Sequence, residues 1–143
     1  MMRTVKVVLR GAGYAWAAPY TALGLAIGML VVLCGGRMQW HRGAAEFGGG
    51  HVGQLAARLR PPFSFSAITL GHVILGIDDE VLAAVRAHEQ VHVHQYERWG
   101  LLFGPAYLLS SLFQWAQGRR PYLDNHFERE AYAKAGEGSR PHA

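Results

Sequence analysis

The chain has 143 residues, half of them hydrophobic, a formal net charge of +4 and a single cysteine. That length holds one domain with no comfortable room for two. The Lys and Arg residues are scattered, not alternated with aromatics along one element, which argues against nucleic acid; adhesion to an anionic membrane surface is the plainer use of the charge. Lone Cys34 excludes an intrachain disulfide and a thiolate metal cluster, so any metal must be held by carboxylates and by the eight histidines.

Met1 to Arg10 carries Arg3, Lys6 and Arg10 among apolar residues, and from Tyr14 to Cys34 no charge occurs. At ~1.5 Å per residue the uncharged run covers roughly 30 Å, the thickness of the hydrocarbon core. Pro19 and the glycines weaken it as a soluble helix but are tolerated in lipid. A cleaved signal peptide competes, but the run is long for one and no small-x-small site follows. A lipoprotein signal ending at Cys34 is opposed by bulky Leu33. The expectation is a retained, single-pass transmembrane helix within residues 1–36.

Gly35 to Gly53 reads as irregular or short-strand structure, and Val52 to Arg60 as a short helix stopped by Pro61-Pro62. Ser66 to Gly76 is rich in β-branched residues and bounded by Pro and Gly, the pattern of one strand. Asp78-Asp79-Glu80 supplies an N-cap and an acidic first turn for a helix from Asp79 to Trp99. A second apolar run, Leu101 to Ala116, is broken by Gly104-Pro105; a last helix is expected from Asp124 to Ala135. Residues 37–136 would form the folded domain, and 137–143, rich in Gly, Ser and Pro, a disordered tail.

The third helix contains His88-Glu89-Gln90-Val91-His92. Histidines four apart lie one turn above one another and can aim at one ion. Glu89, about 100° round from His88, is placed to act on a metal-bound water as general base and not to ligate. The plain alternative is a polar face of an amphipathic helix. A catalytic zinc needs a third protein ligand and one open position. His94, about 200° from His92, and Glu97, about 180° from His88, face away from the pair. A longer HExxHxxGxxH pattern would need Gly at Gln95 and His at Arg98, and has neither. The third ligand must come from another element, and the segment from Asn125 to Tyr132 offers His126, Glu128 and Glu130. Their plain alternative is a solvated face pairing with Arg129 or Lys134.

HExxH followed by Glu128-Arg129-Glu130-Ala131, an E-x-x-A match, resembles the gluzincin-type metallopeptidases, whose downstream helix supplies a glutamate ligand. The runs HEQVHVHQYERWG and NHFEREA are also similar to a group of small bacterial membrane proteins of peptidase type, over the second half of the chain. The resemblance implies an α+β, mainly helical zincin-like domain with a short β-sheet, placed in the bacterial cytoplasmic membrane. It implies Zn²⁺ held by His88, His92 and Glu128, with Glu130 as the alternative, and a peptide or protein substrate cleaved with Glu89 as general base. Tyr132 departs from the family pattern, which often has Asp there to orient a histidine ligand. That departure sustains a second reading, a non-catalytic membrane protein with a structural zinc and His126 or His72 as fourth ligand. A third is a metal buffer using His88, His92, His94 and His126.

One topological consequence follows. If Leu101 to Ala116 crossed a bilayer, the histidines and Glu128 would lie on opposite sides, so the zinc site requires that it does not span; its some sixteen residues are short for a span. Trp99, Tyr107 and Trp115 suit an interface or a core equally. Thr69 to Val73 is a candidate substrate-pairing edge, with Gly71 allowing close approach, or else a central strand. Gln95 and Trp99 share the histidines' helix face as packing or supporting residues, and Tyr132 or His126 is a candidate oxyanion donor.

Overall fold

The computed structural model describes residues 2–61 and 64–136, with side chains from Gly11 onward. The expected tail at 137–143 lies outside the described residues. The elements in order are α1 (Met2–Leu33), β1 (Arg37–His41), β2 (Ala44–Gly48), α2 (Gly50–Ala56), β3 (Ala67–Leu70), β4 (Val73–Gly76), α3 (Asp79–Trp99), a 3₁₀ turn (Gly100–Leu102), α4 (Phe103–Ala116) and α5 (His126–Ala135). The fold is α+β.

Two expectations are corrected. The stretch Ser66 to Gly76 is a hairpin of β3 and β4, not one strand, with Leu70 paired to Val73. Gly71 stands first in the two-residue turn at φ +61°, a backbone region open to glycine and hostile to β-branched residues. Gly35 to Gly53 holds the short strands expected there, β1 and β2, while the short helix expected at Val52 to Arg60 runs instead over Gly50–Ala56. The long helix matches its expected bounds: Asp78 caps it by accepting from the Val81 amide at 2.7 Å. Asn125 does the same for α5, accepting from the Phe127 amide, so α5 starts two residues after Asp124.

The strand order is β1-β2-β4-β3, with β2 and β4 parallel and the outer pairs antiparallel. Alternation along the inner strands sends Ala45, Phe47 and Val73 to one face, where they pack with Val31 of α1. Ala44 and Ile74 point to the other face and pack with Leu82 and Val93 of α3. The sheet is thus sandwiched between α1 and α3. Glu46, also on the α3 face and 1 % exposed, takes a two-pronged hydrogen bond from Arg86, 2.8 Å on each oxygen. This pair pins α3 to the sheet two residues before the histidine motif.

Helix α1, expected as a transmembrane helix within residues 1–36, has one stripe docked on the rest of the fold. Gly13, Ala17, Gly24, Gly28 and Val31 are buried at helical spacing. A Cβ at Gly24 would come within 2.7 Å of Val73, and one at Gly28 within 2.6 Å of the Phe47 ring. These glycines allow the helix to lie against the sheet. From Gly11 to Leu33 the helix is also long and apolar enough to cross a membrane, by length and composition.

Candidate metal centre

The sequence builds the site from two helices brought face to face. On α3, His88, Glu89 and His92 are all buried, as is Glu128 on α5. The Nε2 atoms of His88 and His92 lie 3.1 Å apart. Glu128 meets both, with Oε2 at 3.0 Å from His88 Nε2 and Oε1 at 3.3 Å from His92 Nε2. These three residues form a group that could hold a metal ion, with ligand atoms all within 4.8 Å of one another. Two imidazole nitrogens and a carboxylate converging in a dry place need a cation or shared protons to be stable together.

Two atoms of the group are left over. His88 Nδ1 and Glu128 Oε2 are buried without a hydrogen-bond partner. For Oε2 the one close polar neighbour is the His88 imidazole nitrogen, 3.0 Å away as a charge pair. A buried carboxylate oxygen lacking a donor fits a place for a cation.

His92 is oriented through its far nitrogen. Gln95 Nε2 donates to the Phe127 carbonyl at 3.0 Å and to Glu130 Oε2 at 2.9 Å. Both partners are acceptors, so the amide orientation is determined and Gln95 Oε1 must face His92 Nδ1, 2.8 Å away. His92 therefore carries its proton on Nδ1, and in the neutral ring Nε2 presents a lone pair to the group. His88 has no such partner; Tyr132 lies against its ring, with centroids 4.4 Å apart. So Tyr132, standing where the resembled families often carry Asp, packs on one histidine while Gln95 orients the other.

Burial pushes the Glu128 carboxyl up, but His88, His92 and the Tyr107 hydroxyl outweigh it and bring its pKa down to about 2. Burial alone would lower His92; contact with Glu128 and the charges of Glu128 and Glu89 raise it above the ordinary 6.5. Tyr107 donates to Glu128 Oε1 at 2.7 Å, and burial together with the Glu128 charge lifts its phenol well above the usual range.

Glu89 is outside the ligand group but close enough for its charge to raise His92 and Tyr107. Its Oε2 accepts from the Thr69 hydroxyl at 2.6 Å. Thr69 belongs to β3, an edge strand, so the hairpin that replaces the expected single strand holds the glutamate's carboxylate.

Other sequence candidates fall elsewhere. Glu130 bonds Gln95 and Lys134, at 2.6 Å for the latter. His94 is exposed and pairs with Glu97. His126 is exposed, its ring beside Phe127, and His72 is engaged by Thr21 and Glu97. Neither joins the metal group, which among the described residues has three members. That removes both expected fourth ligands of a structural site. Trp99 rests edge-on against buried Phe127, centroids 5.5 Å apart, and stays partly exposed. Sequence reasoning missed Tyr107 and the full role of Gln95. The position of Gln95, three residues after His92, was the available signal.

The segment after α4 turns back along that helix and sets α5 against α3, so the two halves of the group meet. Ser110 and Ser111 guide that return: Ser110 accepts from the His126 amide at 3.0 Å, and Asn125 donates to Ser111 at 2.7 Å. Comparisons with family models, with curated proteins and with solved structures return no match.

Proposed function

We propose that the chain is a zinc-dependent metallopeptidase of zincin-like build, attached to a membrane through α1. The observation that carries this reading is the meeting of His88, His92 and Glu128 in a group that has three members among the described residues. Zinc bonds of ~2.0–2.1 Å in tetrahedral order put ligand atoms about 3.3 Å apart. The two imidazole nitrogens are 3.1 Å apart, each has one Glu128 oxygen beside it (Oε2 at 3.0 Å from His88, Oε1 at 3.3 Å from His92), and one atom from each residue falls within 4.8 Å of the others. Two nitrogens and one oxygen are also a donor set that suits zinc.

Zinc bound there would polarise a scissile carbonyl and acidify a water. The chain's own residues would do the remainder. Gln95 keeps the His92 proton on Nδ1. Glu128, held ionised, completes the ligand set and balances charge. Glu89 takes the proton of the attacking water, and the Thr69 hydroxyl fixes which of its oxygens is engaged, leaving Oε1 for that proton. Tyr132, against His88, remains the candidate donor to a developing oxyanion.

The reading of a zinc protein without catalysis is disfavoured by the three-membered ligand group, since a structural zinc takes four protein ligands. The test is the purified full chain assayed for zinc and for cleavage of a peptide library. One zinc per chain is expected, with cleavage lowered about 10²–10⁴-fold in Glu89→Gln at unchanged zinc content. No stoichiometric zinc, or full cleavage by Glu89→Gln, sinks the proposal.

A further inference from the structure

We infer that α1 does not cross the bilayer but lies flat in one leaflet, and that the 3₁₀ turn and α4 lie in the same leaflet beside it. The inference rests on the membrane attachment proposed above and not on zinc or peptidase activity.

The first observation is how α1 is used. It forms one outer layer of the fold, covering the sheet with Gly24, Gly28 and Val31 and the end of α3 with Gly13 and Ala17. A helix docked from Gly13 to Val31 cannot enter the hydrocarbon core upright without drawing its partners in. Those partners carry Glu97, against Gly13, with the exposed His94 paired to it, and the Glu46–Arg86 pair across the sheet. Ionised groups at bilayer depth are costly. Laid flat, the helix keeps them on the aqueous side.

The second observation is what α1 and α4 leave uncovered. The outer side of α1 presents Leu23, Met29, Leu30 and Leu33, each more than half exposed. Leu108, Leu109, Leu112, Phe113 and Trp115 of α4 are each more than half exposed as well. No charged residue occurs from Leu101 to Gly118. Apolar surface of this extent on two neighbouring elements marks a lipid or protein contact. The two elements meet where α4 begins: Trp16 packs on Gly100, Tyr20 lies against Gly104, and the Tyr20 hydroxyl donates to the Leu101 carbonyl at 3.3 Å.

Lipid is the occupant the chemistry selects. From Leu101 to Gly118 the surface carries no charge for a protein partner to read, and Arg119 stands exposed directly after α4, where anionic headgroups would lie, with Arg120 beside it paired to Asp124. The inner side of α4 meanwhile sends Tyr107 to Glu128. The candidate centre is then one helix thickness from the leaflet, and its substrates are chain segments at the membrane surface.

The test uses the full chain in sealed membrane vesicles of one orientation and an impermeant maleimide. Single cysteines are placed at either end of the apolar run, Gly11→Cys and Arg37→Cys, each with Cys34→Ser; Gly11 has open space around it and Arg37 is 80 % exposed. Both are expected to label from the same side. Labelling from opposite sides, or release of the protein from membranes by buffer alone, overturns the inference. For α4, Leu112→Cys with Cys34→Ser carries an environment-sensitive dye, expected to be quenched by spin-labelled phospholipid. A dye that senses only water, or one shielded by a second copy as shown by sedimentation, overturns the α4 part. Neither readout uses metal or cleavage, so it can fail with the metallopeptidase reading intact and hold with that reading lost.

Discussion

Helix α3 carries two histidine–glutamate clusters, and they are built for opposite ends. At its middle, His88 and His92 face Glu128 with two buried polar atoms left unpaired. At its end, Glu97 receives His72, whose Nε2 lies 3.1 Å from the carboxylate and whose Nδ1 lies 3.3 Å from the Thr21 hydroxyl. Tyr14 stacks on the His72 ring at 3.8 Å. Both nitrogens of His72 are occupied by partners, and a cation would gain nothing there. Histidines and a carboxylate in contact do not make a metal site. Convergence of bare donor atoms does, while a histidine with each nitrogen satisfied is a clamp, here holding α1, the β3–β4 hairpin and α3 together.

The sharpest way to break this contrast is to remove one histidine from each cluster. His88→Ala is expected to weaken zinc binding by at least roughly 10³-fold in a competitive chelator titration. His72→Ala is expected to leave zinc affinity unchanged while costing about 1–3 kcal/mol of stability in denaturant unfolding, because Glu97 and Thr21 lose a buried partner. Loss of zinc in the His72 variant would end the distinction.

A smaller effect is expected from Gln95→Ala. It releases the His92 Nδ1 proton from its acceptor, and zinc affinity should fall by about 10- to 100-fold with the ligands intact. Equal affinity in this variant would show that packing alone orients the ring.

The pH dependence sharpens the contrast within the first cluster. Protons compete with metal at His92, so zinc affinity should fall by up to roughly tenfold per pH unit as pH drops below the raised pKa of that residue. Metal-free protein should show a different trend. Glu128 has its pKa lowered from 4.5 to about 2, so its contribution to stability is present above pH 4.5 and is lost as pH falls toward 2. His92 is raised above 6.5, so its contribution is present below pH 6.5 and is lost as pH rises through its folded value. Melting temperatures of the chelated protein should therefore peak between these limits for this pair, while zinc affinity continues to climb with pH.

The smallest effect belongs to Thr69→Val. Zinc binding should be unchanged and peptide cleavage should fall by about fivefold, the loss of one hydrogen bond of ~1 kcal/mol to the Glu89 carboxylate. Unchanged cleavage would mean that the edge strand does not position the base.

Much of this site was legible in the residue order because the signals are local. A cap at Asp78, an acidic first turn and histidines four apart need only helix geometry, and α3 has the expected ends. The choice of Glu128 as the carboxylate that meets the histidines was favoured by resemblance to a motif, and the helix it sits on was expected from Asp124, two residues before its observed start. Gln95 was legible as a neighbour of His92 by spacing, but its role depends on Phe127 and Glu130 across the interface. The hairpin was not legible, since Gly71 within a β-branched run suits a strand with close backbone approach as well as a turn. The Glu46–Arg86 pair joins residues forty apart in the chain, beyond any local signal.

The sequence by itself determined a histidine pair on one helix face, a glutamate beside it, and an uncharged helix of membrane-crossing length, because periodicity and composition are properties of short segments. Tertiary structure alone decided which carboxylate the pair meets, which histidines stay out of the group, and that α1 is packed against a sheet. Those outcomes depend on which surfaces come to face one another, and a glycine stripe that reads as tolerable in lipid reads just as well as a groove for Val73 and Phe47 until the sheet is seen against it.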